Sequence, residues 1–121
     1  MAEHNELGSK GEDKAVAYLK SNGYEIVERN WRFKGYEIDI IAEDKEFIVF
    51  VEVKTRSSLL WGNPEDFVDR TRQNRMVKAA DFYLKMKAID KPARFDIIGA
   101  IWDGQSMKLD HIEDAFLPSP M

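Results

Sequence analysis

Two runs of sequence decide the fold: Glu37-Ile38-Asp39-Ile40-Ile41-Ala42 and Phe47-Ile48-Val49-Phe50-Val51-Glu52-Val53-Lys54-Thr55, separated by the charged stretch 43–46. Both are rich in β-branched and aromatic residues, and their short separation predicts an antiparallel hairpin. Side chains alternate across a strand, so Glu37, Asp39 and Ile41 share one face of the first run, while Ile48, Phe50, Glu52 and Lys54 share one face of the second. With Asp44 opposite Phe47 across a two-residue turn, Asp39 falls opposite Glu52 and Glu37 opposite Lys54. A slip of two residues leaves the acids as diagonal neighbours, whereas a slip of one sends them to opposite faces. Lys45-Glu46 is poor type I′ turn chemistry, so the turn alone does not choose the register.

Outward from the hairpin, Ser9-Lys10-Gly11-Glu12 fits a capping box, with Ala15, Val16 and Leu19 following at helical spacing, which predicts a helix over 10–21. Asn22-Gly23 ends it, and 24–32 mixes aromatic, β-branched and charged residues as a half-exposed strand does. Downstream, Gly62, Asn63 and Pro64 mark a loop. Gln73, Met76, Val77, Ala80, Tyr83 and Leu84 then recur at a helical period, predicting a second helix over 69–87. Beyond Pro92, a buried strand over 95–102 leads through a two-residue Asp103-Gly104 turn into a strand over 107–112. The order α-β-β-β-α-β-β describes a mixed α/β sheet covered by two helices. One domain spans 1–121, with 1–8 and 114–121 as tails.

At 121 residues and 44% hydrophobic content the chain supports one core, and 33% charged residues with a net charge of only −4 describe a folded, water-soluble protein rather than a disordered one. It has no cysteine, which excludes disulfides, thiol nucleophiles and thiolate zinc sites; His4 and His111 are its only imidazoles, too few for a histidine-dominated metal centre or a Ser-His-Asp triad. The longest strongly apolar run, 47–51, is far short of the roughly 20 residues that span a bilayer, and no signal-peptide pattern precedes it. A cytoplasmic protein without membrane contact is expected. The pI near 5.2 argues against bulk electrostatic binding of nucleic acid. Charge is unevenly spread, however: Arg70, Arg72, Arg75 and Lys78 follow one another with no intervening acid, Arg29, Arg32 and Lys34 form a second group, and 96–114 is acidic. The molecule is expected to have a basic side.

Charges on faces that should be apolar point to chemistry. Glu12 lies on the stripe of Ala15, Val16 and Leu19, aimed at the sheet. Two carboxylates about 4 Å apart repel by roughly 4 kcal/mol at an effective dielectric of about 20, and such crowding is tolerated when a proton, an ammonium or a divalent cation lies among them. Hard oxygen ligands suit Mg²⁺ or Mn²⁺, and a carboxylate-bound metal that also contacts phosphate is an apparatus for phosphodiester hydrolysis. Asp39 and Glu52 are the expected metal ligands. Lys54 has an electrostatic role, and Glu12 holds a water or a second ion. Plainer readings stand beside these: a solvated cross-strand ion pair for Asp39, Glu52 and Lys54, a capping role for Glu12, and the wet side of a helix for the arginines. Gln73, on the apolar stripe, either reaches a phosphate or forms the polar end of a buried face. Asp96 either assists the site or is a structural carboxylate.

Asp39 followed, after an apolar strand, by Glu52-Val53-Lys54 resembles the PD-(D/E)xK nuclease signature, with Ile38 where that signature has proline. More extensively, Gly11-Glu12, Tyr18-Leu19, Gly23-Tyr24, Arg29-Asn30, Glu37-Ile38-Asp39, Phe50-Val51-Glu52-Val53-Lys54-Thr55-Arg56 and Arg94-Phe95-Asp96 resemble the UPF0102 (YraN) family of small bacterial proteins over nearly the whole chain. Here Tyr36 is inserted into the familiar Gly-Glu-Ile-Asp, and Arg72-Gln73 stands where a Lys-Gln or Lys-Arg pair is common. That family is similar to archaeal Holliday-junction resolvases. The resemblance implies a restriction-endonuclease-like fold and a Mg²⁺-dependent (or Mn²⁺-dependent) endonuclease acting on DNA, at branched or damaged structures. It carries over Glu12, Asp39, Glu52 and Lys54 as catalytic positions, and a homodimer suits junction substrates. Arg56, Arg72, Gln73 and Arg75 are the candidate nucleic-acid contacts. The alternative is a non-catalytic nucleic-acid-binding or protein-interaction module on the same fold.

Overall fold

Asp44 supplies the turn chemistry that Lys45-Glu46 lacks. Its Oδ1 accepts the backbone N–H groups of Glu46 at 2.9 Å and Phe47 at 2.8 Å, while its own N–H donates to the Phe47 carbonyl at 3.1 Å. An aspartate folded back on its own turn does what Asn-Gly does elsewhere, with neither Lys45 nor Glu46 at positive φ. The register is thereby the expected one: β2 (Tyr36–Glu43) pairs with β3 (Ile48–Arg56) through Glu43↔Ile48, Ile41↔Phe50 and Ile40↔Val51. Upstream, β1 (Glu25–Phe33) joins β2 through Lys34 and Gly35, whose φ values of 51° and 81° are those a type I′ turn requires.

The computed structural model describes residues 2–57 and 68–117, so the loop expected at Gly62, Asn63 and Pro64 lies outside the described residues. Helix α1 (Ala2–Ser21) precedes the three-strand meander; α2 (Arg70–Met86), β4 (Ala93–Trp102) and β5 (Met107–Ile112) follow it. The sheet has five strands in the order β1-β2-β3-β4-β5, with β3 and β4 parallel and every other pair antiparallel. This is the mixed α/β architecture and the element order that the sequence predicts. No helix among the described residues is long and apolar enough to cross a membrane.

Each helix covers one face of the sheet. Ala15, Val16 and Leu19 of α1 pack on Ile40, Ala42, Val49, Val51 and Ile98, whereas Met76, Ala79, Ala80 and Tyr83 of α2 pack on Ile41, Ile48, Phe50, Phe95 and Ile97. Strict alternation would send Ile38 to the α1 face with Ile40, yet Ile38 and Trp31 belong to the α2 core. The pleat changes phase between these positions, where Asn30 of β1 adopts a left-handed φ of 51° and Asp39 faces it from β2. Helix α1 lies close on the sheet at Gly11, where an added Cβ would run into the Thr55 side chain and come within 3.1 Å of Ala100 Cβ. Gly11 is therefore required by a close approach, one residue from Lys54 along β3.

Four local expectations differ. Helix α1 begins at Ala2, so Ser9 is interior and its capping box with Glu12 does not start the helix; Glu6 and Leu7 are good helix formers and carry the helix upstream. The β4–β5 turn is centred on Gly104-Gln105 rather than Asp103-Gly104, because the Asp103 N–H pairs with the Ser106 carbonyl at 3.1 Å and its Oδ1 caps Gln105 and Ser106. Residues 114–117 are no free tail: Ala115 donates to the Phe95 carbonyl at 2.7 Å and Phe116 stacks on Phe95. Glu37 does not meet Lys54 but pairs with Arg32 at 3.1 Å, on the exposed side of the β1–β2 hairpin.

Asp96 is fully buried and structural. Its oxygens take Arg94 at 2.9 and 2.8 Å, His111 Nε2 at 2.7 Å and the Asp114 N–H at 3.0 Å, and the far side of His111 meets the Tyr18 hydroxyl at 3.0 Å. Burial raises the carboxyl pKa, but the hydrogen bonds from His111, Arg94 and the Asp114 N–H outweigh it and hold Asp96 below the usual carboxylate range. The network ties α1 to β4 and β5. Asp96→Ala strands an arginine side chain that is only 11% exposed, and a loss of about 3–5 kcal/mol is expected in urea denaturation. A loss under 1 kcal/mol would contradict this structural role.

Candidate functional site

The β2–β3 ladder ends at Ile40↔Val51. One residue further, Asp39 Oδ2 accepts the Val53 N–H at 2.8 Å, so a carboxylate takes the backbone donor and the strands part around it. The next side chain on the same face, Glu52, is only 2% exposed. Its Oε2 receives Arg72 at 2.8 Å and has Lys54 Nζ at 3.7 Å, while its Oε1 is buried without a hydrogen-bond partner. Asp39 lies beside Glu52, and its pKa is pushed up to about 8: burial contributes most, the Glu52 charge next, against the hydrogen bond from the Val53 N–H.

Glu52 is positioned by the pleat. Ile48 and Phe50, which precede it on the same face of β3, are core residues under α2, so the face that buries apolar side chains at one end of the strand delivers Glu52 and Lys54 at the other. Arg72 arrives from the first turn of α2, a turn fixed by the Asp69 side chain accepting the Arg72 N–H at 2.9 Å and containing no acid. Burial works against the Arg72 charge and the hydrogen bond to Glu52 works for it; the bond prevails, raising its pKa.

Of the residues singled out from sequence, Asp39, Glu52, Lys54 and Arg72 converge. Glu12 stands on α1, held at 3.3 Å by Arg29, which also takes Asp13 at 2.8 Å; its charge is felt at Asp39, but it is tied to the opposite helix layer. Gln73 turns onto its own helix end, donating to the Val68 carbonyl at 3.0 Å. Arg75 reaches the β1–β2 hairpin instead, donating to the Gly35 carbonyl at 2.9 Å with its guanidinium 4.5 Å from the Tyr36 ring. Arg56, beyond the acids on β3, donates to the Thr55 carbonyl at 2.9 Å. Two features escaped the sequence: the Arg72–Glu52 pair and the Arg75 clasp on Gly35. The first had a signal in an acid-free first helical turn, the second in Lys34-Gly35, a dipeptide able to hold positive φ.

The pair has the chemistry of a cation site. A buried carboxylate oxygen with open lone pairs beside a second carboxyl suits a hard divalent ion such as Mg²⁺ or Mn²⁺. No group of three or more acids and histidines converges among the described residues, so Asp39 and Glu52 would be the side-chain ligands.

Asp39 titrates far above an unfolded aspartate near 3.8, so between about pH 4 and about 8 the native state holds more protons than the unfolded one. Stability in EDTA therefore falls as pH rises through that window. Thermal melts at pH 5.5 and 8.5 should show a larger drop for the native sequence than for Asp39→Asn, whose amide keeps the Val53 contact and donates to Glu52. Parallel melting curves would refute the raised Asp39 pKa.

A family model described as "Uncharacterised protein family UPF0102" matches residues 11–100. A UPF0102 protein of Bacteroides thetaiotaomicron is 52% identical over 118 residues, covering 98% of each chain. The UPF0102 protein FP2501 of Flavobacterium psychrophilum is 47% identical over 116 residues, covering 96% of this chain and 98% of its own. A match that begins at Gly11, takes in both strand carboxylates and runs on into β4, together with relatives this similar over nearly the whole chain, means that the chain belongs to the UPF0102 family.

Proposed function

We propose that the protein is a cytoplasmic endonuclease that hydrolyses DNA phosphodiester bonds with Mg²⁺ or Mn²⁺ held by Asp39 and Glu52. The observation that carries this reading is the buried Glu52 Oε1, unpartnered beside a carboxyl whose pKa is pushed up to about 8. Apolar side chains would fill such a position at less cost, and a fold that keeps two acids together there benefits from a cation between them. When bound, the ion supplies a Lewis acid for the phosphate and a more acidic water. The chain's own residues do the rest. Asp39, anchored by the Val53 N–H, cannot swing away from Glu52. Lys54, 24% exposed and 3.7 Å from Glu52, presents an ammonium to a phosphate oxygen on which charge grows during displacement. Arg72 and Arg75 give the backbone-contacting charge that net −4 does not provide in bulk.

The non-catalytic alternative is favoured by one observation: Lys54 and Arg72 already neutralise Glu52, so the acids are not without cations. Calorimetry separates the two readings. Mg²⁺ should bind the native sequence, and binding should vanish in Asp39→Ala and in Glu52→Ala; no heat from the native protein at millimolar Mg²⁺ supports the binding module.

Activity is tested on linear, flapped, mismatched and four-way-junction DNA with Mn²⁺, alongside RNA. Lys54→Ala should lower cleavage by about a hundredfold or more while leaving the substrate bound. Cleavage that persists in both Glu52→Ala and Lys54→Ala would place the chemistry elsewhere.

A further inference from the structure

Arg72 sits between a buried carboxylate and a cleft. On one side is Glu52, whose Oε2 holds its guanidinium at 2.8 Å. On the other is a cleft of about 130 Å³ that Arg72 lines together with Gly35, Glu37, Arg75 and Met76. Arg75 is fixed in that cleft by the Gly35 carbonyl at 2.9 Å and the face of Tyr36, whereas the only acid among its described lining residues, Glu37, is drawn to Arg32 at 3.1 Å. The cleft is thus a place for an anion, with one guanidinium preset and a second at its border. Arg72 is 38% exposed, so its long side chain has room to turn while its backbone stays capped by Asp69.

A divalent ion on Asp39 and Glu52 would lie within a few ångströms of Arg72 and Lys54, and positive charges that close repel strongly in a half-buried site. Releasing Arg72 from Glu52 removes that repulsion, and a phosphate in the cleft gives the guanidinium a bidentate partner of equal quality. We propose that Arg72 is a two-position arginine: it neutralises Glu52 in the metal-free protein and passes to a nucleic-acid phosphate in the Arg75 cleft when a divalent cation takes Glu52. Cation and strand then reinforce one another's binding, because each favours the same arginine position, and the coupling is reciprocal. The proposal rests on the metal-site reading above and adds the order that this reading lacks: the acids are guarded by a cation of the chain's own until both ligands arrive.

The test is Mg²⁺ calorimetry at pH 8.5 on the native sequence, Arg72→Gln and Arg75→Gln, each checked for folding by circular dichroism. Arg72→Gln should bind Mg²⁺ about tenfold tighter than the native sequence, in the range of ordinary coupling energies, and Arg75→Gln, which removes an equal charge that does not touch Glu52, should tighten it far less. Arg72→Lys, which keeps the charge without the fork, should fall between. Fluorescence anisotropy with a labelled DNA duplex reads the other half: replacing EDTA with Ca²⁺ should tighten binding about tenfold in the native sequence and hardly at all in Arg72→Gln. Mg²⁺ affinity in Arg72→Gln equal to or weaker than native, with Mg²⁺ still lost in Glu52→Ala, overturns the two-position arginine and leaves the metal site standing. Absence of Mg²⁺ binding in every variant overturns both.

Discussion

The destination of one backbone hydrogen organises the functional end of the sheet. Were the Val53 N–H paired with β2, the ladder would continue past Val51 and Asp39 would be an ordinary strand residue. It goes to the Asp39 carboxylate instead. A side chain that takes over a ladder bond is held as firmly as the strand that supplies the donor, so Asp39 is fixed in position and Glu52 cannot avoid it. The change of pleat phase at Asn30 and Asp39 falls at the same place: β2 and β3 are paired as far as Ile40↔Val51 and part beyond it, while β1 and β2 stay paired to Phe33↔Tyr36.

Two aspartates show how much the neighbourhood decides. Asp96 is the more deeply buried, yet its carboxyl is held low, because an arginine, a histidine and a backbone N–H all point hydrogens at it. Asp39 is less buried, yet its carboxyl is pushed up to about 8, because burial raises it, the Glu52 charge adds to that, and the Val53 N–H alone does not offset the two. The first arrangement is complete in itself and fastens three elements together. The second is incomplete, with a buried oxygen of Glu52 left over, and that incompleteness is what marks it as the candidate site.

Much of this was legible because strand geometry is arithmetic. Period-two alternation placed Asp39, Glu52 and Lys54 on one face, and Asp44 opposite Phe47 gave the register; only the capping by Asp44 itself needed atoms to see. The second helix was readable to within a residue, since its apolar stripe is regular and Asp69 caps it. What failed were inferences that ignored competition. Ser9 and Glu12 can cap a helix, but good helix formers upstream let the helix continue, which frees Glu12 for Arg29. Glu37 and Lys54 share a nominal face, but each has a better partner across its own strand pair or beside it, in Arg32 and Glu52. The Arg72–Glu52 pair joins helix to sheet, and no local spacing rule reports on that distance.

The irregularities of β1 have a bearing on the company this protein keeps. It is an outer strand, with one unpaired row of amide and carbonyl groups along its free side. That row is interrupted twice, by a bulge between Ile26 and Glu28 and by the left-handed Asn30, and Glu25, Glu28, Arg29 and Arg32 stud what remains. A straight, uncharged border of nine residues would be an open template for another chain's strand, and such templates seed aggregates. The same kinked residue that accompanies the parting of the sheet around Asp39 thus also blunts this border against another chain's strand.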